Sequence, residues 1–229
     1  MLLAALGIAA AGTCASQAEA GALLQRGLVS DIPGLAVVTD SALKNSWGVS
    51  HSATSPFWVS DQGASVSTLY SVTAAGVSKV PLTVAIPTTA TGPQGPTGQV
   101  NNSTSSFVVG SAPANFIFAN LNGTISAWNQ GLGTTAQIQA TTPGAVYTGL
   151  AIDAASARLF AANGAQNRID VFNGSFGPVS LGANAFKDPL LPAGLVPFNV
   201  QNIGDKIYVT YALAGRPAQI AAAEGMGVV

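Results

Sequence analysis

A glycine returns along this chain at an almost constant interval, and that repeat limits the possible folds more than any other feature. Gly48 in Trp47-Gly48-Val49-Ser50 recurs as Gly98 in Thr97-Gly98-Gln99-Val100 and as Gly149 in Thr148-Gly149-Leu150-Ala151, at steps of 50 and 51 residues. A fourth start, Pro197-Phe198-Asn199-Val200, follows at the same interval without the glycine. A unit of this length is too small to bury both of its faces alone, so units must stack on one another.

Each start leads into a short run rich in aromatic and β-branched residues: Phe57-Trp58-Val59-Ser60, Phe116-Ile117-Phe118-Ala119, Leu159-Phe160-Ala161-Ala162 and Ile207-Tyr208-Val209-Thr210. Such residues favour the pleated surface of a sheet. Turn residues follow in the first three units, Asp61-Gln62-Gly63, Asn120-Leu121-Asn122-Gly123 and Asn163-Gly164. Asn-Gly and Asp-x-Gly supply the backbone angles that a tight hairpin needs. A third run then ends in an aromatic, Tyr70, Trp128 or Phe172, at 9, 8 and 9 residues past Asp61, Asn120 and Asn163. The units therefore read strand, strand, turn, strand, with room for a fourth strand. This is the rhythm of an all-β propeller blade. About three and a half blades are expected.

The segment Pro87–Pro96 holds three prolines and two glycines, which excludes a central strand and predicts a loop between blades. Asp188–Gly194 predicts a second such loop. The fourth unit is expected to be unfinished, with Gly227-Val228-Val229 as the opening of a third strand. An open ring leaves strand edges and apolar faces uncovered. Truncation of a larger ring is one account of this; closure of a four-bladed ring by the segment Leu28–Thr39 is the other.

Residues 1–20 contain an apolar run from Leu2 to Ala11, too short to cross a bilayer. They end in Ala18-Glu19-Ala20, an A-x-A cleavage signal. They predict a secretory signal peptide cut before Gly21, with 21–229 as an incomplete propeller domain. No Lys or Arg precedes the apolar run, and a lipoprotein signal at Cys14 is the rival reading, with Thr13 where a small residue is expected. Cleavage removes Cys14 and Glu19 and leaves no cysteine, eight basic and eight acidic residues. Thiol catalysis and cysteine-based metal sites are thereby excluded. Charged residues make up only 7% of the chain, against roughly 25% in ordinary globular proteins. With no basic cluster, nucleic acid and anionic membranes are not expected partners. No later apolar run is long enough for a membrane helix.

The phrases Leu28-Val29-Ser30-Asp31-Ile32-Pro33-Gly34-Leu35-Ala36, Trp47-Gly48-Val49-Ser50, Phe57-Trp58-Val59-Ser60-Asp61, Gly123-Thr124-Ile125-Ser126-Ala127-Trp128-Asn129 and Pro197-Phe198-Asn199-Val200-Gln201-Asn202-Ile203-Gly204 resemble an uncharacterised family of secreted bacterial proteins. Its members often carry a C-terminal PEP-CTERM sorting tag, which this sequence does not show. The resemblance spans nearly all of the chain after residue 20 and brings no established activity with it. The rhythm of Gly149-Leu150-Ala151-Ile152-Asp153 followed by Asn167-Arg168-Ile169-Asp170-Val171-Phe172 is also similar to NHL and gluconolactonase-type propellers, which implies a six-bladed ring.

Asp61, Asn120, Asn163 and Tyr211 hold the same place in their repeats. In a propeller, equivalent positions converge on one face around the axis. Asp61, Asn120 and Asn163 could there hold Ca²⁺, which takes six to eight oxygen ligands, and gluconolactonase-type propellers use such a metal in hydrolysis. One carboxylate is few for that purpose, and Asp and Asn are also what a hairpin turn wants. His51 is the only histidine; it is a candidate general base, against the commoner role of structural hydrogen-bonder. Asp170, between Ile169 and Val171, is expected to face outward. Trp47, Trp58 and Trp128 are expected to pack between blades rather than form a sugar-stacking platform. The function these features support is a secreted or surface-associated binding or structural module for an extracellular polysaccharide or protein. A calcium-dependent lactonase-like hydrolase is the alternative.

Overall fold

The computed structural model describes residues 25–215 and 227–229; the expected signal peptide, 1–20, lies outside the described residues. Two short strands, β1 (Val29–Ser30) and β2 (Val38–Thr39), pair in parallel. Blade 1 is the sheet of β3 (Ser46–Ser50), β4 (Phe57–Asp61), β5 (Val66–Thr73) and β6 (Gly76–Ala85), each antiparallel to the next. Blade 2 opens with β7 (Pro96–Asn101). A small separate hairpin of β8 (Val108–Val109) and β9 (Ala112–Pro113) intervenes before β10 (Phe116–Asn120), β11 (Thr124–Trp128) and β12 (Gln137–Thr141) complete the blade. Blade 3 is β13 (Tyr147–Asp153), β14 (Arg158–Asn163), β15 (Arg168–Phe172) and β16 (Pro178–Val179). Blade 4 contributes β17 (Leu195–Ile203) and β18 (Lys206–Leu213), and Val228 bridges antiparallel to Tyr211 where a third strand begins. The three and a half blades of the repeat reading are present. No α-helix occurs among the described residues, so none of these can cross a membrane as an apolar helix.

The first strand of each blade, β3, β7, β13 and β17, lies beside the first strand of the next. These are the inner strands around a common axis. The recurring glycine explains how they approach: a Cβ on Gly48 would fall less than 3.0 Å from the Thr97 carbonyl. On Gly98 it would strike the Gly149–Leu150 backbone, and on Gly149 it would strike Asn199. Side chains then tie the strands together. Thr97 Oγ1 donates to the Tyr147 carbonyl at 2.8 Å, Gln99 Nε2 donates to the Gly48 and Trp58 carbonyls, and Asn202 Nδ2 donates to the Ile152 carbonyl at 3.1 Å.

Every inner strand also carries one extra residue against its partner strand. The register slips between Ser46 and Val49 against β4, opposite Phe118 and Asn120 in β7, between Tyr147 and Gly149, and between Pro197 and Asn199. A bulge of this kind bends the strand and re-aims a side chain; here it is a repeat feature at Trp47, Thr97, Thr148 and Phe198.

The core lies between blades. Trp58 stacks on Phe116 at 4.2 Å and touches Trp128 at 4.9 Å, within a cluster that includes Leu69, Val84 and Phe118. Ile117, Ile125, Tyr147, Leu159 and Phe172 fill the second interface, and Phe160, Val171, Val200 and Val209 fill the third. Trp58 and Trp128 therefore pack between blades. Trp47 does not join them; it faces the axis side of blade 1 and meets Phe198.

Among the described residues, the segment before β3 packs against blade 1 and pairs with no strand of blade 4. It is tied to blade 1 through Asp40, whose carboxylate accepts from Tyr70 Oη at 2.7 Å and from Lys79 Nζ at 2.8 Å. The loop after β6 is ordered by one side chain: Gln94 Oε1 accepts the Thr89 N–H at 2.9 Å, while its Nε2 donates to the carbonyls of Thr89, Thr91 and Gly92. Pro96 itself begins β7, a position that proline tolerates.

Candidate functional site

The two ends of the axis differ. At the end where the inner strands begin, Asp61 is paired with Ser46, Asn120 with Pro96, Asn163 with Tyr147 and Tyr211 with Pro197. The four residues read as equivalent are thus at one register position in four blades. Asp61, Asn120 and Asn163 are fully buried, and each turns into a corner of its own blade. Asp61 Oδ1 accepts from Ser46 Oγ at 3.0 Å and Oδ2 from Thr68 Oγ1 at 2.6 Å. Asn120 Nδ2 donates to Ser126 Oγ and to the carbonyl and hydroxyl of Thr124, all at 3.1 Å. Asn163 Nδ2 donates to Asp170 Oδ2 at 2.7 Å, and its Oδ1 accepts the Gln166 N–H at 3.2 Å. The partners Thr68, Ser126 and Asp170 are themselves equivalent, each two residues before Tyr70, Trp128 and Phe172. The repeat thus builds a buried polar latch between the second and third strands of each full blade.

Burial pushes the Asp61 carboxyl up to about 6, against hydrogen bonds from Thr68 and Ser46 that favour its charged form. Of the set's side-chain oxygens, Asn120 Oδ1 is the one that lacks a partner. Among the described residues no group of three His, Cys, Asp or Glu side chains is placed to hold a metal. Tyr211 Oη donates to the Phe186 carbonyl at 3.2 Å, beside a cavity of 530 Å³ lined by Phe186, Pro189, Leu191 and Pro197. That cavity is a seam between the loop before β17 and blade 4.

Asp170 corrects the outward placement read from its alternation. Its carboxylate accepts from Tyr147 Oη at 2.9 Å, from Asn163 Nδ2 and from Arg168 Nε at 2.6 Å, with its side chain only 13% exposed. Neighbouring blades cover both faces of a blade, so alternation along a strand does not separate inside from outside.

At the opposite end, where the inner strands finish, all four contribute to one cleft of 420 Å³. Val49, Ser50 and His51 come from β3 and the residue after it, Gln99, Val100 and Asn101 from β7, Leu150, Ala151 and Ile152 from β13, and Gln201 and Asn202 from β17. None of these side chains carries a formal charge when His51 is neutral. Two of their polar atoms, Ser50 Oγ and Asn202 Oδ1, are buried without a protein partner. Orphans of this kind are uncommon in folded proteins; Trp58 Nε1, Ser60 Oγ and Asn120 Oδ1 are others, away from the cleft.

His51 sits at the rim. Its ring is exposed, lies 4.8 Å from that of Phe57, and places Nδ1 2.9 Å from the Ser52 carbonyl. A proton on Nδ1 makes that contact a hydrogen bond and leaves Nε2 as the acceptor. The structure therefore separates His51 from Asp61, Asn120 and Asn163, which lie at the other end of the inner strands. Ser50, Gln99, Gln201 and Asn202 had not been singled out in the sequence. The register of the repeat could have found them, because 51, 101, 152 and 202 continue the spacing of 48, 98, 149 and 199.

No family model matches this chain, and no curated protein matches it in sequence. Among solved structures, a catalytically inactive virginiamycin B lyase from Staphylococcus aureus with quinupristin is similar over 76% of this chain and 53% of its own, with a TM-score of 0.50 and 13% identity. The selenomethionine form of that lyase gives 73% and 48%, a TM-score of 0.49 and 13% identity. The Dos1 propeller gives 73% and 42%, a TM-score of 0.49 and 9% identity. The chain spans about half the length of the lyase. At these identities the likeness concerns the fold, and with the blade order it shows that this chain forms part of a β-propeller.

Proposed function

We propose that this chain is the propeller of an exported, extracellular, periplasmic or surface-associated binding module, and that it holds its ligand in the axial cleft at the ends of the inner strands. One observation carries the reading: four blades bring equivalent positions to a single uncharged cleft in which Ser50 Oγ and Asn202 Oδ1 have no protein partner. Export is supported by residues 1–20 and by the resemblance to secreted, often PEP-CTERM-tagged proteins; N-terminal sequencing of exported material beginning at Gly21 is the expected result. A calcium-dependent hydrolase built on Asp61, Asn120 and Asn163 has less support, because both oxygens of the one carboxylate are held by hydroxyls of blade 1.

A screen of fluorinated fragments by ¹⁹F NMR tests the cleft. Val49 is 59% exposed at its edge, so Val49→Arg fills the opening without disturbing the core. Fragment binding by the natural chain, abolished in the variant at unchanged melting temperature, is the expected result. Fragments that bind both proteins alike, or neither, would remove the reading.

A further inference from the structure

We infer that the axial cleft is a subsite for a neutral sugar, taking one or two rings. The inference rests on the binding-module reading and adds the chemistry of the ligand. At 420 Å³ the cleft is at the small end of ligand pockets, which run from roughly 300 to 1,000 Å³.

Charge is the first discriminator. No Lys, Arg, Asp or Glu lines the cleft. With the rim residue His51 neutral, a carboxylate, phosphate or ammonium entering it would lose water without gaining a counter-charge. The second discriminator is the kind of hydrogen-bonding group left spare. Asn202 Nδ2 gives one of its two N–H groups to the Ile152 carbonyl, and Asn101 Nδ2 one to the Asn115 carbonyl at 3.0 Å. Gln99 Nε2 is spent on the carbonyls of Gly48 and Trp58. The amide oxygens and one N–H each of Asn101 and Asn202, the hydroxyl of Ser50 and the amide of Gln201 are left over. The cleft therefore offers uncharged donors and acceptors together, which call for a ligand that both donates and accepts hydrogen bonds without charge, as sugar hydroxyls do.

The third discriminator is the remaining wall. Val100 and Ile152, partly buried on the neighbouring inner strands β7 and β13, give the cleft its apolar side chains, while Leu150 and Ala151 are buried in the interfaces on either side of blade 3. A sugar ring has a C–H face as well as its hydroxyls, and such a wall accommodates it. A ligand that was polar all round would leave Val100 and Ile152 uncovered, and one that was wholly apolar would leave the spare polar groups unpaired.

Titration of the full chain, followed by NMR, with glucose, galactose, N-acetylglucosamine and cellobiose, and with glucuronate and glucose 6-phosphate as charged counterparts, tests the inference. The neutral sugars are expected to bind and the charged ones to fail. Gln201 is exposed and its side chain makes no hydrogen bond among the described residues, while its backbone pairs with Tyr208, so Gln201→Ala leaves the fold intact. Asn202→Ala removes an acceptor directly. Each is expected to weaken sugar binding about 3- to 10-fold, the loss of one hydrogen bond. Equal binding of the charged sugars, or binding that neither substitution weakens, would overturn the inference. So would the absence of sugar binding at tens of millimolar; if Val49-dependent fragments still bind, the binding-module reading survives and only the sugar falls.

Discussion

Trp47 and Phe198 occupy the same bulge position in blades 1 and 4, and their rings meet with centroids 5.8 Å apart at an interplanar angle of 34°. The inner strands β3 and β17 are not laid side by side as successive ones are. The contact is therefore made by the two side chains that the bulges aim toward the axis. It lies about two residues along the inner strands from the cleft lined by Val49, Ser50, Gln201 and Asn202.

Such a pair is worth about 0.5–1.5 kcal/mol beyond the area it buries. A double-mutant cycle with Trp47→Ala and Phe198→Ala, followed by urea denaturation, is expected to show a coupling of that size. Additive losses would mean that the rings do not support each other in solution. Trp58 and Trp128 are buried between blades 1 and 2, so the loss of Trp47 should also remove the most solvent-sensitive part of the tryptophan emission.

Gly98 provides the sharpest test of how the blades meet. A methyl group there would lie less than 3.0 Å from the Gly149–Leu150 backbone, which cannot move without shifting all of blade 3. Overpacking a well-filled core costs about 1–3 kcal/mol, and Gly98→Ala should reach or exceed the top of that range. Gly27→Ala is the control, since its nearest contact would be an ordinary 3.4 Å. Equal melting temperatures for the two variants would refute the close approach of β7 and β13.

Blade 1 should become more stable on mild acidification. Burial raises the Asp61 carboxyl from 3.8 to about 6. Its contribution to folding is therefore most favourable below pH 4 and is lost as pH rises through 6, a cost on the order of 3 kcal/mol once the group is ionised. Asp40 has the opposite sign. Burial raises it, but hydrogen bonds from Lys79, Tyr70 and the Ala42 N–H, together with the Lys79 charge, bring it below 3.8. Its contribution is present above pH 4 and fails only under stronger acid. The melting temperature is expected to rise between pH 7.5 and pH 5. Asp61→Asn, which keeps an acceptor for the Thr68 hydroxyl, should melt higher than the natural chain at pH 7.5 and show a flatter profile. A natural chain whose melting temperature falls over that interval would contradict the buried, destabilised carboxylate.

The spacing of Gly48, Gly98 and Gly149 was enough to read the blades, because close packing of inner strands leaves a mark at one residue per repeat. The second strands and their turns were legible for the same reason. The candidate site was harder. Asp61, Asn120 and Asn163 stood out as turn-forming polar residues, and their equivalence was real, but a sequence does not say whether such a side chain points to the axis or back to Thr68, Ser126 or Asp170. The outward reading of Asp170 failed because a blade has no solvent face along its middle. Gln99, Asn101, Gln201 and Asn202 sit in strands, and only their offset from the recurring glycine position relates them before the blades are placed around an axis. Ser50 looked like one serine among many.

The loop between blades 1 and 2 depends on a single side chain. Gln94 fills it with hydrogen bonds to Thr89, Thr91 and Gly92 and also accepts from Asn122 Nδ2 at 3.1 Å, so it ties the loop to the turn after β10. The loop residues 88–93 are largely exposed, and three prolines limit the conformations that they can reach without Gln94. Gln94→Ala removes this network while leaving the buried strand start at Gly95 and Pro96 in place. Global stability should fall by about 1–2 kcal/mol, since the replaced bonds are neutral and near solvent. Local order should fall much further, because the loop carbonyls lose their common partner. Limited proteolysis is expected to nick the variant between Thr88 and Pro93 while the natural chain stays intact under the same treatment. Equal resistance of the two proteins would mean that proline stiffness alone holds the loop, and that the Gln94 network is a consequence of its shape.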